Sequence, residues 1–369
     1  MSAAGAYGDP GAVAAFAARI RAAAERLPRR VTLMEVCGTH THAIAAAGLR
    51  RLLPERVRLI AGPGCPVCVT PVEYVDRAEA LARRPGTIVT TFGDLLRVPS
   101  SRGSLERVRA EGADVRIVYS PRDALQVAAD NPARTVVFLA VGFETTTPTV
   151  AAALAEAEAR AVANFLILSG HKVMPPPMRA LARDAEVQVD AYLLPGHVAV
   201  ILGARAFAFV AEEFGMPAAV VGFAPTDVMR AVEALVGLLA AGRPEIVNLY
   251  SRVVKPEGNA TARALVDRFF TPADVAWRGL GGIPGSGLAL RQEFAHRDAA
   301  RIEVELPEPL EPAGCRCGEV LKGTIDPPEC PLFGGICTPD LPVGACMVSS
   351  EGACAAWYRH ERFAAGSAR

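Results

Sequence analysis

VTLMEVCGTHTHAIAAAGLRRLLPERVRLIAGPGCPVC, residues 31–68, contains one structural unit and the start of the next. Residues 31–36 form a continuous apolar run of strand length that ends in Cys-Gly-Thr-His. An alanine-rich, helix-like segment follows, and a second apolar run at 57–61 ends in Gly-Pro-Gly-Cys-Pro-Val-Cys. Uniformly apolar strands separated by helices are the pattern of a parallel sheet covered on both faces. The unit recurs downstream. Strands are predicted at 87–91, 115–119, 135–141, 164–168, 190–194 and 218–221, with helical segments at 71–83, 122–129, 149–160, 178–184 and 226–241. Right-handed crossovers place every loop that follows a strand on one edge of its sheet. Eight such units would suffice for a closed barrel. Two doubly wound halves fit better, because from about residue 245 the rhythm stops and glycine, proline and cysteine take over. The predicted fold is α/β: parallel-sheet domains at 1–133 and 134–244 facing a central cleft, then a loop-rich, metal-organised domain at 245–369 with GLGGIPGSG (279–287) as a loop.

Composition narrows the function classes. The chain has 369 residues, 51% of them hydrophobic and 21% charged, which excludes wholesale disorder. Lys+Arg and Asp+Glu number 39 each, so neither a nucleic-acid footprint nor a polybasic membrane arm is expected. No apolar run reaches the roughly 20 residues of a spanning helix; the best, 198–211, is broken by Arg205. Residues 1–30 read as an amphipathic helix without the apolar stretch of a signal peptide. A soluble, cytoplasmic protein is expected. In that reducing compartment the nine cysteines are ligands, redox groups or buried thiols sooner than structural disulfides.

Those cysteines form two groups. Six follow the spacing Cys315-x-Cys317-x12-Cys330-x6-Cys337-x8-Cys346-x7-Cys354 among prolines and glycines. A segment so poor in periodic apolar residues orders itself readily around a metal. Paired knuckles typical of structural zinc are absent, and long irregular spacing favours an iron–sulfur cluster, with zinc and metal-free buried thiols as the alternatives. Near the start, Cys37 ends a strand and opens a helix, where the helix N-terminus is expected to stabilise its thiolate. His40 and His42 are its candidate partners. Cys65 and Cys68 form a CxxC, readable as a redox pair, half of a metal site or a structural feature.

Most other polar groups with chemical potential also follow strand ends, where open α/β sheets bind ligands. They are Asp94 in FGD, Glu144 in VGFETTT, His171 in SGHK and His197 in PGH. Each has a capping or core role as its plain alternative, and Glu144 resembles a carboxylate at a helix start. His296 and His360 lie in charged surroundings and read as surface residues. GIPGSG (282–287) lacks the Lys-Ser/Thr of a phosphate loop.

Taken together, MEVCGTHTHAI (34–44), GPGCPVCVTP (62–71), FGDLLRVP (92–99), GFETT (142–146), SGHK, LLPGHV (193–198), WRGLGGIPGSGL (277–288) and the cysteine-rich segment 315–356 resemble the HypD family of [NiFe]-hydrogenase maturation proteins. The motifs span about nine-tenths of the chain, residues 31–360. One departure is Ala199, where many relatives have Ser. The resemblance implies a redox-active scaffold on which the Fe(CN)2CO group is assembled, working with a small HypC-type chaperone and a HypE-type cyanide donor. It assigns a [4Fe–4S] cluster to Cys315, Cys330, Cys337 and Cys354, leaving Cys317 and Cys346 over, and it assigns the iron of Fe(CN)2CO to Cys37 and the redox pair to Cys65 and Cys68. Cys37, the CxxC, Glu144 and His197 would then meet in the cleft, with His40 or His42 donating to a sulfur or a cyanide nitrogen. Two other classes compete. An iron–sulfur-dependent disulfide oxidoreductase leaves Cys37 without a task, and a zinc-stabilised hydrolase with Cys37 as nucleophile leaves the CxxC idle.

Overall fold

The structure is a computed structural model and describes residues 9–362. Two all-parallel sheets and one antiparallel hairpin make up its β-structure. The strands are β1 (Val31–Glu35), β2 (Val57–Ala61), β3 (Thr87–Thr91), β4 (Val115–Ile117), β5 (Thr135–Gly142), β6 (Phe165–His171), β7 (Ala191–Pro195), β8 (Ala218–Val221), β9 (Ile246–Asn248), β10 (Phe270–Trp277) and β11 (Gly281–Leu290). The larger sheet runs β2-β1-β7-β8-β9 and the smaller β4-β3-β5-β6.

The eight expected strands are present, but the sheets are not sequential halves. The boundary expected at 133/134 falls inside the smaller sheet, where β3 pairs with β5 through Thr87↔Thr135 and its neighbours. The larger sheet takes two strands from before this unit and three from after it, and β1 joins β7 through Leu33↔Ala191. Apolar strands are interchangeable as sequence, so nothing local specifies which pair lies side by side. Past residue 245 the chain still adds a strand, β9, to the larger sheet. GLGGIPGSG is likewise not a loop. Residues 281–287 belong to β11, which pairs antiparallel with β10 across a register shift between Ala273 and Val275.

Burial explains why these segments are strands. In β5, Val136 to Ala140 are fully buried, as a central strand covered on both faces must be; each of the valine, leucine and phenylalanine side chains contributes about 1.5–3 kcal/mol. Helices on either side complete the layers. Pro10–Ala24, capped by the Asp9 side chain onto Gly11 N, packs on Pro225–Ala240 through Val13, Ile20, Val228 and Val232. Of the amphipathic helix expected over 1–30, the structure shows the Pro10–Ala24 part; residues 1–8 lie outside the described residues. Among the described residues no helix is long and apolar enough to cross a membrane.

The C-terminal segment wraps the rest through short turns and two helices, Cys317–Lys322 and Ala353–His360. Gly279, at φ +78°, lets the hairpin's tip touch Gly318, since a Cβ there would lie 2.2 Å from the Gly318 Cα. The buried Arg278 beside it donates from Nε to Thr70 O at 2.8 Å, and its backbone N donates to Val69 O at 2.9 Å. The hairpin thereby joins the C-terminal cysteine segment to the loop just after the CxxC.

Candidate functional site

Cys37 sits where β1 runs out. Its backbone is extended (φ −148°, ψ 121°) and it occupies the N-cap of the helix Gly38–Ala46. Its N–H donates to Glu35 Oε2 at 2.9 Å, and the other Glu35 oxygen accepts from the Thr41 hydroxyl. Gly38 N donates to Gly64 O at 3.0 Å. Gly64 lies so close that a Cβ would stand 2.2 Å from Cys37 N, so the Cys37 and CxxC loops are in backbone contact. Glu351, far along the chain, closes the other side. Its Oε1 accepts from Thr39 Oγ1 at 2.7 Å, and a Cβ on Gly38 would lie 2.5 Å from its own Cβ.

Two imidazoles flank this point through one phenyl ring. His40 and His197 each stack on Phe223, with centroids 4.8 Å and 3.9 Å away. His40 Nε2 lies 2.9 Å from Gly222 O; a carbonyl only accepts, so Nε2 carries the proton and the buried Nδ1 is left without a partner. His42 is placed elsewhere, edge-on to His360 at 5.2 Å. The exposed His360 is thus a surface residue, as expected, and also a neighbour of His42.

The electrostatics correct the expected thiolate. Burial, with the Glu35 carboxyl adding to it, pushes the Cys37 thiol up to about 12, and the amides of His40 and Thr39 offset this only in part. Burial also raises Glu35 to about 7 and lowers His40 to about 4. The site at rest is a neutral thiol beside a neutral imidazole. Glu351 acts electrostatically on Cys37 and on His197. Sequence reasoning missed this glutamate, whose only local signal is its place three residues before Cys354.

Cys65 and Cys68 form a disulfide with Cα atoms 5.3 Å apart, and Cys68 N donates to Cys65 Sγ at 3.2 Å. Both are buried in one apolar cluster with Phe143 and Met174, while Val67 between them packs on the core of the smaller sheet. The remaining candidates belong to that smaller sheet. Asp94 is exposed on the turn Gly93–Arg97, which Arg97 ties to Asp340 O at 3.1 Å. Glu144 does not start its own helix, whose N-cap is Thr146; its Oε1 accepts from Met174 N, the N-cap of the next helix, at 2.8 Å. Its other oxygen is buried without a partner, and burial raises the carboxyl to about 7. His171 ends β6 opposite Gly142, stands edge-on to Phe270 at 5.5 Å and is lowered to about 4 by burial. The structure therefore joins Cys37, the CxxC loop, His40 and His197 at the edge of the larger sheet. Among the described residues no hydrogen bond or ion pair links Asp94, Glu144 or His171 to them.

The six C-terminal cysteines line one small enclosed cavity with Leu332, Phe333 and Met347. Gly344 makes room, since a Cβ there would lie 2.6 Å from Cys315 Sγ. The two cysteines that the spacing left over are in the middle of the group: Cys317 Sγ lies 2.7 Å from Cys346 Sγ, although 29 residues separate them. Side-chain contacts among these thiols hold Cys317 below the ordinary thiol range and push Cys315 and Cys346 above it. The sulfurs pack on one another, and among the described residues no three donors stand in ligating geometry. As a donor set, thiols converging on an apolar cavity nevertheless fit an iron–sulfur cluster.

Comparison with known proteins covers nearly the whole chain. The family model described as HypD, hydrogenase formation hypA family, matches residues 12–361. The hydrogenase maturation factor HypD of Azotobacter vinelandii is 47% identical over 355 residues, covering 94% of this chain and 93% of the relative. Its namesake in Escherichia coli K12 is 47% identical over 336 residues, 90% of each. That of Cupriavidus necator is 45% identical over 357 residues, 94% of each.

Proposed function

Because the chain belongs to the HypD family of hydrogenase maturation factors, we propose that it is the scaffold on which the Fe(CN)2CO group of [NiFe] hydrogenases is assembled. The observation that carries this reading is the backbone contact between the Cys37 and CxxC loops at Gly64, which sets a soft ligand beside a two-electron thiol pair. Cys37 Sγ binds the cargo iron. Its proton must leave as Fe2+ arrives, and the metal's charge offsets the burial that otherwise keeps the thiol neutral. The amides of Thr39 and His40 then stabilise the sulfur, and the imidazoles on Phe223 border the anionic cargo.

Release of cyanide from a thiocyanate consumes two electrons, the number given up when the Cys65 and Cys68 thiols close to their disulfide. The pair must then be reduced again. Cys315, Cys330, Cys337 and Cys354 would hold a [4Fe–4S] cluster, which when bound supplies electrons at low potential. Cys317 and Cys346 are a second dithiol beside it, in the same apolar cluster as the CxxC. The partners under this reading are a small HypC-type chaperone and a HypE-type protein delivering cyanide as a thiocyanate, and the compartment is the cytoplasm.

The test is anaerobic co-purification with the small chaperone followed by infrared spectroscopy. Bands of metal-bound CO and cyanide are expected in the wild-type complex. Cys37→Ala should abolish them while the visible absorbance of the C-terminal cluster stays. Bands that persist in Cys37→Ala place the iron elsewhere and refute the assignment.

A further inference from the structure

A cavity of about 670 Å³ opens on the outer side of the cysteine group. Cys315 and Cys317 stand between the two cavities and line both, whereas Arg316 and Gly318 line only the larger one. Cys317 is 6% exposed and lines the open cavity; Cys346 is 1% exposed and does not. One sulfur of the close pair therefore faces a solvent-connected hollow, and the other is behind it.

The walls are charged and balanced. Arg278 pairs with Glu311 at 3.1 Å, Arg316 pairs with Glu319, and Lys322, which pairs with Asp184 behind the wall at 3.1 Å, lies 3.9 Å from Glu186 on it. Equal numbers of cations and anions do not select an anion or a cation; they suit a ligand bearing both signs. The volume lies in the range of small-molecule sites.

We infer that this cavity receives a low-molecular-weight thiol of zwitterionic, cysteinyl-peptide character, which reduces the Cys317/Cys346 pair. The inference rests on the proposed reading of that pair as a dithiol that cycles through a disulfide. The incoming thiolate attacks Cys317 Sγ, forming a mixed disulfide and breaking the bond to Cys346, which leaves as a thiolate and takes up a proton. A second thiol attacks the bound ligand's sulfur, releases the small disulfide and returns Cys317 to the thiol. Two small thiols are oxidised and one protein disulfide is reduced, so two electrons enter the chain. The 2.7 Å sulfur separation makes Cys346 the leaving thiolate, and its burial keeps it from being attacked first.

The experiment uses the full chain, purified anaerobically with its iron, and glutathione as the probe. Reduction of the oxidised pair, followed by thiol trapping and peptide mass mapping, should saturate with reduced glutathione. Mercaptoethanol, which lacks the charged groups, should give a linear dependence. Lys322→Ala and Arg316→Ala should each raise the half-saturating glutathione concentration several-fold with little change in the maximal rate. In Cys346→Ser, oxidised glutathione should leave one adduct, on Cys317. Linear kinetics equal to those of mercaptoethanol, or adducts spread over Cys37 and the CxxC, would overturn the inference while leaving the pair's redox role intact. A pair that dithiothreitol cannot cycle either would overturn that role and the inference with it. Should Cys346→Ser fail to fold, the saturation test on the wild-type chain still decides.

Discussion

Gly64→Ala should separate the two cysteine loops at the larger sheet's edge. The added Cβ would lie 2.2 Å from Cys37 N, 2.4 Å from Cys37 Cα and 2.5 Å from Val36 C, all backbone atoms that cannot rotate aside. Reaching an ordinary 3.4 Å contact requires a retreat of about 1 Å (3.4 − 2.2). The Gly38 N to Gly64 O bond, now 3.0 Å, would then be lost. Overpacking costs about 1–3 kcal/mol and the lost bond about 1 kcal/mol, so roughly 2–4 kcal/mol of stability should go. Denaturant unfolding of the purified chain measures this, with Gly282→Ala, where nothing lies within 4 Å, as the neutral control. The infrared bands of the loaded complex should weaken at temperatures where the variant is still fully folded, because Cys37, the proposed iron ligand, and the thiol pair no longer meet. Wild-type unfolding together with full bands would refute the contact as the basis of the site.

Glu144→Gln should flatten a pH dependence. The buried Glu144 carboxyl is raised from 4.5 to about 7, so the folded state binds its proton more tightly than the unfolded state does. Its contribution is fully present below pH 4.5 and is lost as pH rises through 7, about 3 kcal/mol in all. The stability of Glu144→Gln relative to wild type should climb by that amount across the window, and a pH-independent difference in denaturant titrations would exclude it. Cys330→Ser should purify with little iron and fold poorly, whereas Cys346→Ser should keep about four irons per chain by metal analysis. Full loading of Cys330→Ser would defeat the ligand set.

The strands and the chemistry at their ends were legible because both are local. An apolar run such as 135–141 has few alternatives to a buried strand, CGTHTH marks the start of a helix after a strand, and GPGCPVC announces a loop by its glycines and prolines. Pairing was not legible. That β1 lies beside β7 and not β3 depends on packing between segments about 160 residues apart, and apolar alternation says nothing about it. The glycines of 281–287 signalled a loop, yet an antiparallel partner with a register shift holds them as a strand. The state of Cys37 was misread for a similar reason. The helix N-terminus is visible in sequence, but Glu35 folding back under the thiol and Glu351 closing over it are tertiary facts, and burial outweighs the helix end. Cys317 and Cys346 stood outside the expected ligand pattern, and only the fold shows them side by side.

The interleaved topology has a consequence for biosynthesis. The smaller sheet is contiguous, from Thr87 to His171, and every strand it needs has been made once β6 is complete. The larger sheet is not. Its β1 and β2 have only each other until β7 arrives, 130 residues after the end of β2 (191 − 61). At about 5–20 residues per second, the ribosome needs roughly 6–26 s to cross that gap. Throughout it the strand ends bearing Cys37, Cys65 and Cys68 wait on a two-stranded ribbon, an arrangement that is marginal in water. Glu351, which closes over Gly38, follows the start of β7 by a further 160 residues (351 − 191). The surroundings of Cys37 are therefore complete only after both β7 and Glu351 have been made.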